Sequence, residues 1–189
     1  MSSRPGGGAG NGSVREKKTL LLDLTSISPG AAWHCLHTLS RREKKVAADC
    51  AALEIPYFLP LRKSIRRHNG RNYTFDVPLF SGYLFCAVTQ EQRRRLLNTR
   101  NLAQTIAVPD QESLLEDLRQ IENAIRCEAD LEPFPFLKRG ARVRIADGPF
   151  QGIEGIVSER RKKFRVILNV RMLHQAVALE VDGGAIKPL

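Results

Sequence analysis

The run Val143-Arg144-Ile145-Ala146-Asp147-Gly148-Pro149-Phe150-Gln151-Gly152-Ile153-Glu154-Gly155-Ile156-Val157 decides how the C-terminal part of the chain folds. Three glycines and one proline stand between two β-rich runs. Asp147-Gly148-Pro149 reads as a turn, because glycine supplies a positive φ and proline presets φ near about −65°. Gly152 and Gly155 fall where the second strand begins, and glycine in a strand marks a bulge or a close backbone approach. Downstream, Phe164, Val166, Leu168 and Val170 alternate with Arg165, Ile167, Asn169 and Arg171; Val177, Leu179 and Val181 repeat the alternation. A period of two predicts half-buried antiparallel strands. Residues 138–189 are therefore expected to form a separate all-β module. At about 50 residues it is near the lower limit for folding alone, which favours closure into a small barrel.

Immediately upstream, residues 128–137 contain acidic residues, Pro133 and Pro135, and read as a linker. Before it, strand and helix patterns alternate. Ala31–Leu39 reads as a strand, and Arg41–Glu54 as a helix with Val46, Cys50 and Leu53 on one face and Pro56 as its stop. Tyr57–Ile65 and Asn72–Phe80 read as strands around a tip whose Asn69-Gly70 is a tight-hairpin signal. Gly82–Val88 is a further strand, Glu91–Leu97 a short helix and Ala103–Val108 another strand. Asp110 is placed to cap a helix whose Leu114, Leu118, Ile121 and Ile125 form one apolar stripe. This predicts an α+β domain over residues 29–127, an antiparallel sheet with helices packed on it. Residues 1–28 are Gly/Ser-rich and charged, and are expected to be a disordered tail, with Thr19–Ile27 adding at most a short strand.

The 189 residues include 30 Lys+Arg against 20 Asp+Glu, a net charge of +10 that favours a polyanionic partner. No run approaches the ~20 apolar residues of a membrane span. Cys35, Cys50, Cys86 and Cys127 form no CxxC pair and follow no signal-peptide pattern, so reduced thiols in the cytoplasm are expected. His34 and His37 are three apart in a strand and face opposite sides, which argues against a metal site there. No phosphate loop, nucleophile elbow or His-Glu-x-x-His appears, and Glu112 and Glu116 lie on a packing helix. Neither an enzyme nor a cofactor is expected.

Two sets of residues carry a resemblance. The first is Val143, Ile145, the Gly148-Pro149-Phe150 turn, Gly152, Gly155 and Val157, whose layout resembles the KOW motif, a small β-barrel element of transcription elongation factors and some ribosomal proteins. The second is Trp33, Arg41-Arg42-Glu43-Lys44-Lys45-Val46-Ala47, Pro78-Leu79-Phe80-Ser81-Gly82-Tyr83-Leu84-Phe85 and Thr99-Arg100. Together they resemble the NusG family, an N-terminal NGN domain plus a KOW domain. Leu84-Phe85 after Tyr83, and Met172-Leu173-His174-Gln175-Ala176-Val177, lean towards its specialised RfaH-like members. Ser81 stands where the family usually has proline, and Arg93-Arg94-Arg95 where RfaH has a small polar cluster.

The resemblance implies a monomeric transcription elongation or antitermination factor. It would bind the clamp helices of RNA polymerase through Phe58, Phe80, Tyr83 and Phe85. It would meet DNA of the transcription bubble through Arg41, Arg42, Lys44, Lys45, Arg67, Arg71 and Arg100. The KOW domain would engage a second partner such as the ribosome or Rho. Physically, aromatic rings suit an apolar docking face and arginines suit phosphates. The alternative is a ribosome-associated RNA-binding protein acting through its KOW domain.

Overall fold

The computed structural model describes residues 27–137, 139–160 and 163–189, so the expected tail and the strand Thr19–Ile27 lie almost wholly outside the described residues. The first domain runs β1 (Ala32–Thr38), α1 (Glu43–Ala52), β2 (Tyr57–Phe58), β3 (Leu61–His68), β4 (Arg71–Pro78), β5 (Tyr83–Val88), α2 (Gln90–Asn98), β6 (Leu102–Ala107) and α3 (Gln111–Arg126). Its sheet has the order β2-β5-β1-β6 with antiparallel neighbours, as the α+β pattern requires. Alternation along β1 and β5 sorts the core into two layers. Leu36, Leu84, Cys86 and Val88 pack with Val46, Ala47 and Cys50 of α1 and Leu96 of α2. Trp33, Cys35, Phe85 and Ala87 pack with Leu114, Leu118 and Ile121 of α3.

The caps follow from short polar side chains. Asp110 accepts from the Ser113 backbone N at 2.9 Å at the start of α3. Thr89 and Gln92 form a reciprocal capping box on α2. The hairpin tip also forms where expected, with Asn69 at φ 48° and Gly70 at φ 76°, the paired positive values of a tight two-residue turn. The strand leading into the hairpin is broken, however. Tyr57 and Phe58 pair with β5, and β3 restarts only after Pro60, which has no N–H to continue the ladder. Among the described residues strands β3 and β4 then pair only with each other.

The second part is a six-stranded antiparallel sheet of β7 (Glu132–Phe134), β8 (Arg142–Ile145), β9 (Glu154–Arg160), β10 (Lys163–Val170), β11 (Gln175–Val181) and β12 (Ile186–Pro188), in the order β12-β8-β9-β10-β11-β7. Two features differ from the sequence expectation. Residues 132–134, read as linker, are a strand at the sheet's edge, where Pro133 can sit because one side of an edge strand needs no donor. Ile167, read as outward-facing, is buried: Ala176, Ala178, Phe134, Leu137 and Ile156 pack with it. The segment after β7 thus covers the face that simple alternation assigns to solvent.

The two parts also meet. The apolar cluster that starts at Trp33 and Phe85 continues through α3 into Val143, Ile145, Val166, Leu168 and Leu179. On the far side of α3 a polar pair fixes the contact. The Arg171 backbone N donates to Asp117 Oδ2 at 2.9 Å and its Nε to Oδ1 at 3.0 Å, while Nη2 reaches Ser113 O at 3.1 Å and Glu116 Oε2 at 3.0 Å. The Glu154 backbone N donates to Gln120 Oε1 at 3.0 Å. Burial pushes the Asp117 carboxyl above its usual range, more than the hydrogen bonds from Arg171 pull it back. The half-exposed guanidinium is held charged, chiefly by its hydrogen bond to Asp117. A carboxyl raised in the folded state favours folding below its ordinary pKa, and that contribution is lost as pH rises through the folded value. Removing the guanidinium raises it further. Arg171→Met should therefore lower stability by about 1–3 kcal/mol near pH 7 and by clearly less near pH 4. Urea unfolding at the two pH values measures this, and an equal loss at both would show that Asp117 does not depend on Arg171.

Candidate functional site

One face of the first sheet carries a row of aromatic and apolar side chains. The register pairs Trp33 with Ala87, Cys35 with Phe85 and His37 with Tyr83, while Phe58 sits opposite Phe85 on the other side. Facing pairs share a side of the sheet, so the row runs Trp33, Phe85, Tyr83 along its length. Its burial is graded. Trp33, Phe58 and Phe85 are covered, and Phe80 lies edge-on to Phe85 with ring centroids 6.4 Å apart. Tyr83 is only partly buried and stacks on His37 at 4.9 Å. Of the four aromatic residues expected at a docking surface, then, three are interior and Tyr83 is at the opening.

Local bonds hold that opening in shape. Glu43, at the first turn of α1, is buried and accepts from the Gly82 backbone N at 2.8 Å. The Thr38 N donates to Gly82 O at 2.8 Å. Gly82 has φ 84°, the left-handed region glycine tolerates, and this turn is what swings the chain into β5. At the other end of the row, Gln111 Oε1 accepts from the Trp33 backbone N at 2.8 Å and Gln111 Nε2 donates to Trp33 O at 3.0 Å, tying α3 to β1.

Basic residues gather near the same end of the sheet. Arg41, Arg42, Lys44 and Lys45 are exposed at the β1–α1 turn and on α1. Arg100 is exposed in the α2–β6 turn, which the Leu39 N → Asn101 O bond of 2.9 Å fastens to the β1–α1 turn. Arg41 and Arg100 both have positive φ, at 60° and 57°. Lys45 is partly engaged, 3.2 Å from Asp49. Arg67 and Arg71 are not part of this group; they lie exposed at the tip of the β3–β4 hairpin.

In the second sheet the turn residues take the geometry their chemistry suggests. Gly148 and Gly152 have φ 84° and 89°, and Phe150 is half-buried against the core. At Gly155 the sheet has no room for a side chain: a Cβ there would lie 2.6 Å from Ile167 O and 2.6 Å from Val166 Cγ1. Among the described residues no group of His, Cys, Asp and Glu is placed to hold a metal, and no helix is long and apolar enough to cross a membrane. Burial pushes the Cys35 thiol up to about 12. The Cys86 thiol is also raised, first by its bond to Cys50 and then by burial, so neither supplies a thiolate.

Residues 31–122 match the NusG family model, described as transcription termination factor nusG. Over these residues, just under half of the chain, the sequence is similar to NusG-family proteins, which are transcription elongation and termination factors. It covers the whole aromatic row, the basic turns and the hairpin, and ends inside α3. No curated protein matches the chain.

Sequence reasoning singled out Phe80 and Tyr83 but not His37, whose role is visible only in the cross-strand register. Nor did it find Glu43 or Arg171, because both act on residues far along the chain. Gly155 gives the sharpest test of the second sheet. Gly155→Ala should lower stability by about 2 kcal/mol or more, since backbone Ile167 O cannot move aside. Gly184→Ala, with nothing nearer than Asp182 Oδ1 at 4.0 Å, should cost little. Denaturant midpoints of the two variants decide it; equal midpoints would mean the close approach is easily relieved.

Proposed function

We propose that the chain is a transcription elongation and antitermination factor of the RfaH-like NusG kind, with its second sheet as the KOW domain. It binds RNA polymerase at the clamp helices, keeps the clamp closed and suppresses pausing or termination. One observation carries this reading: within the matched residues, an apolar aromatic row surfaces at Tyr83–His37 close to exposed Arg41, Arg42 and Arg100. Such an end can meet an apolar protein surface and a phosphate backbone together.

Docking uses Tyr83 directly. Phe58, Phe80 and Phe85 join it only when the elements over them part, because they are buried as the chain stands. Arg41, Arg42, Lys44, Lys45 and Arg100 face the DNA of the transcription bubble, with Arg67 and Arg71 extending the reach. A factor of this kind shifts polymerase towards the closed state by binding that state more tightly. The KOW domain recruits a further partner, the ribosome or Rho, at the high effective concentration that tethering provides. The protein acts as a monomer in the cytoplasm and needs no cofactor.

The polymerase contact is tested with Tyr83→Ala, since Phe80→Ala would empty part of the core and cost about 3–5 kcal/mol of stability. Tyr83→Ala should weaken binding to core polymerase by about 2 kcal/mol, with circular dichroism confirming the fold. Unchanged affinity in the folded variant would remove this end of the sheet from the contact. The basic turn is tested by salt. Arg41→Asn, which tolerates positive φ, combined with Arg42→Ala should flatten the log–log salt dependence of binding to elongation complexes by about 0.7–0.9 per lost phosphate contact. An unaltered slope would leave these arginines as solvated surface charge.

A further inference from the structure

Among the described residues the β3–β4 hairpin is a two-stranded sheet with no third strand, and it exposes large apolar groups: Ile65 at 69%, Tyr73 at 44% and Phe75 at 47%. Cross-strand register divides its side chains between two unlike faces. Ser64 pairs with Phe75, Arg66 with Tyr73 and His68 with Arg71, so Tyr73 and Phe75 share a face with Arg66 and Arg71. Their ring centroids are 6.5 Å apart and the ring planes 29° from parallel. The opposite face carries Ile65, Arg67 and the ion pair of Lys63 with Asp76, at 2.6 Å. Residues 61–78 hold five Lys or Arg and one acid, Asp76, and that acid lies on the face away from the rings.

We propose that the Tyr73–Phe75 face of this hairpin is a stacking platform for the bases of a single-stranded nucleic acid, with Arg66 and Arg71 on its phosphates. Two exposed, near-parallel rings on consecutive outward positions of one strand offer two π-faces, and among the hairpin's residues 61–78 no acid shares their face to neutralise the cations beside them. Aromatic rings within a positive strip bind single strands without needing a base code, because every base has a π-face. A duplex keeps its bases stacked inside and offers the rings nothing, so only the phosphate part of the contact survives there. A protein docking on this face would have to offset the charges of Arg66 and Arg71. The proposal deepens the nucleic-acid part of the proposed function and rests on that part alone, not on the polymerase contact.

The test uses the full chain, without polymerase, and fluorescently labelled oligothymidine, oligouridine and a duplex of matched length, by anisotropy across a salt series. Wild type should bind the single strands, and whether thymidine or uridine binds tighter tells DNA from RNA. Tyr73→Ala and Phe75→Ala should each weaken single-strand binding by about fivefold or more while leaving the duplex and the salt slope unchanged. Tyr73→Phe should bind as wild type. Arg66→Ala should instead reduce the slope, by about 0.7 on single strands and about 0.9 on duplex. The proposal is overturned if the ring variants bind single strands like wild type, or lose duplex binding equally. It is also overturned if wild type binds neither single strand, which would assign the exposed rings to a protein partner. Because no polymerase is present, failure here leaves the Tyr83 contact standing, and loss of polymerase binding by Tyr83→Ala leaves this outcome unaffected.

Discussion

Helix α3 needs cover on two sides, and most of the architecture follows from meeting that need. Leu114, Leu118 and Ile121 fill the face of the first sheet, but Asp117, Glu122 and Ala124 are buried as well. A single sheet can cover only one stripe of a helix about 10 Å across. The flank that carries Asp117 is covered by the C-terminal sheet, and its carboxylate is tolerated because Arg171 supplies donors from both its backbone and its guanidinium. A buried acid of this kind is poor evidence for stability but fixes orientation, since only one placement of the second sheet brings Arg171 onto Asp117. The apolar cluster can then run from one sheet to the other through the helix.

What was legible in the sequence was local. Asn69-Gly70 announced a tight turn and both residues took positive φ; Asp110 announced a cap and its carboxylate accepted from Ser113. The glycines around Pro149 were legible for the same reason, since a backbone that needs positive φ, or leaves no space for a Cβ, admits few other residues. The α+β order of the first domain and the strand alternation of the second followed from periods of 3.6 and 2.

What was not legible depends on distance along the chain. Asp117 looks like any acid on a helix until Arg171, 54 residues later, folds against it. Ile167 reads as outward-facing until the segment after β7 covers that side. Residues 132–134 read as linker because the nearby prolines weaken any strand signal, yet an edge strand accepts Pro133. The burial of the aromatic row is not legible for a related reason: alternation says which side of the sheet a ring faces, not whether a helix lies over it. Phe85 and Tyr83 share a side, and α3 makes one interior while the other stays partly open.

That grading along one strand bears directly on the candidate site. An apolar row that was exposed throughout would invite non-specific association, and one buried throughout could recognise nothing. Here the row emerges at its Tyr83–His37 end, where Gly82 is pinned by Glu43 and Thr38. Pinning matters because a ring on a fixed turn loses little entropy on binding. Arg41 and Arg100 have positive φ in two turns that the Leu39 N to Asn101 O bond fastens together, so their backbone positions are fixed although their side chains are solvated. The hairpin differs: among the described residues β3 and β4 have no strand partner beyond each other, and a lone two-stranded ribbon is marginal without further support. The first domain therefore presents two surfaces of different stiffness. The pinned end of the sheet suits a contact that must keep its geometry, and the pliant hairpin suits a flexible polyanion whose shape changes as it moves.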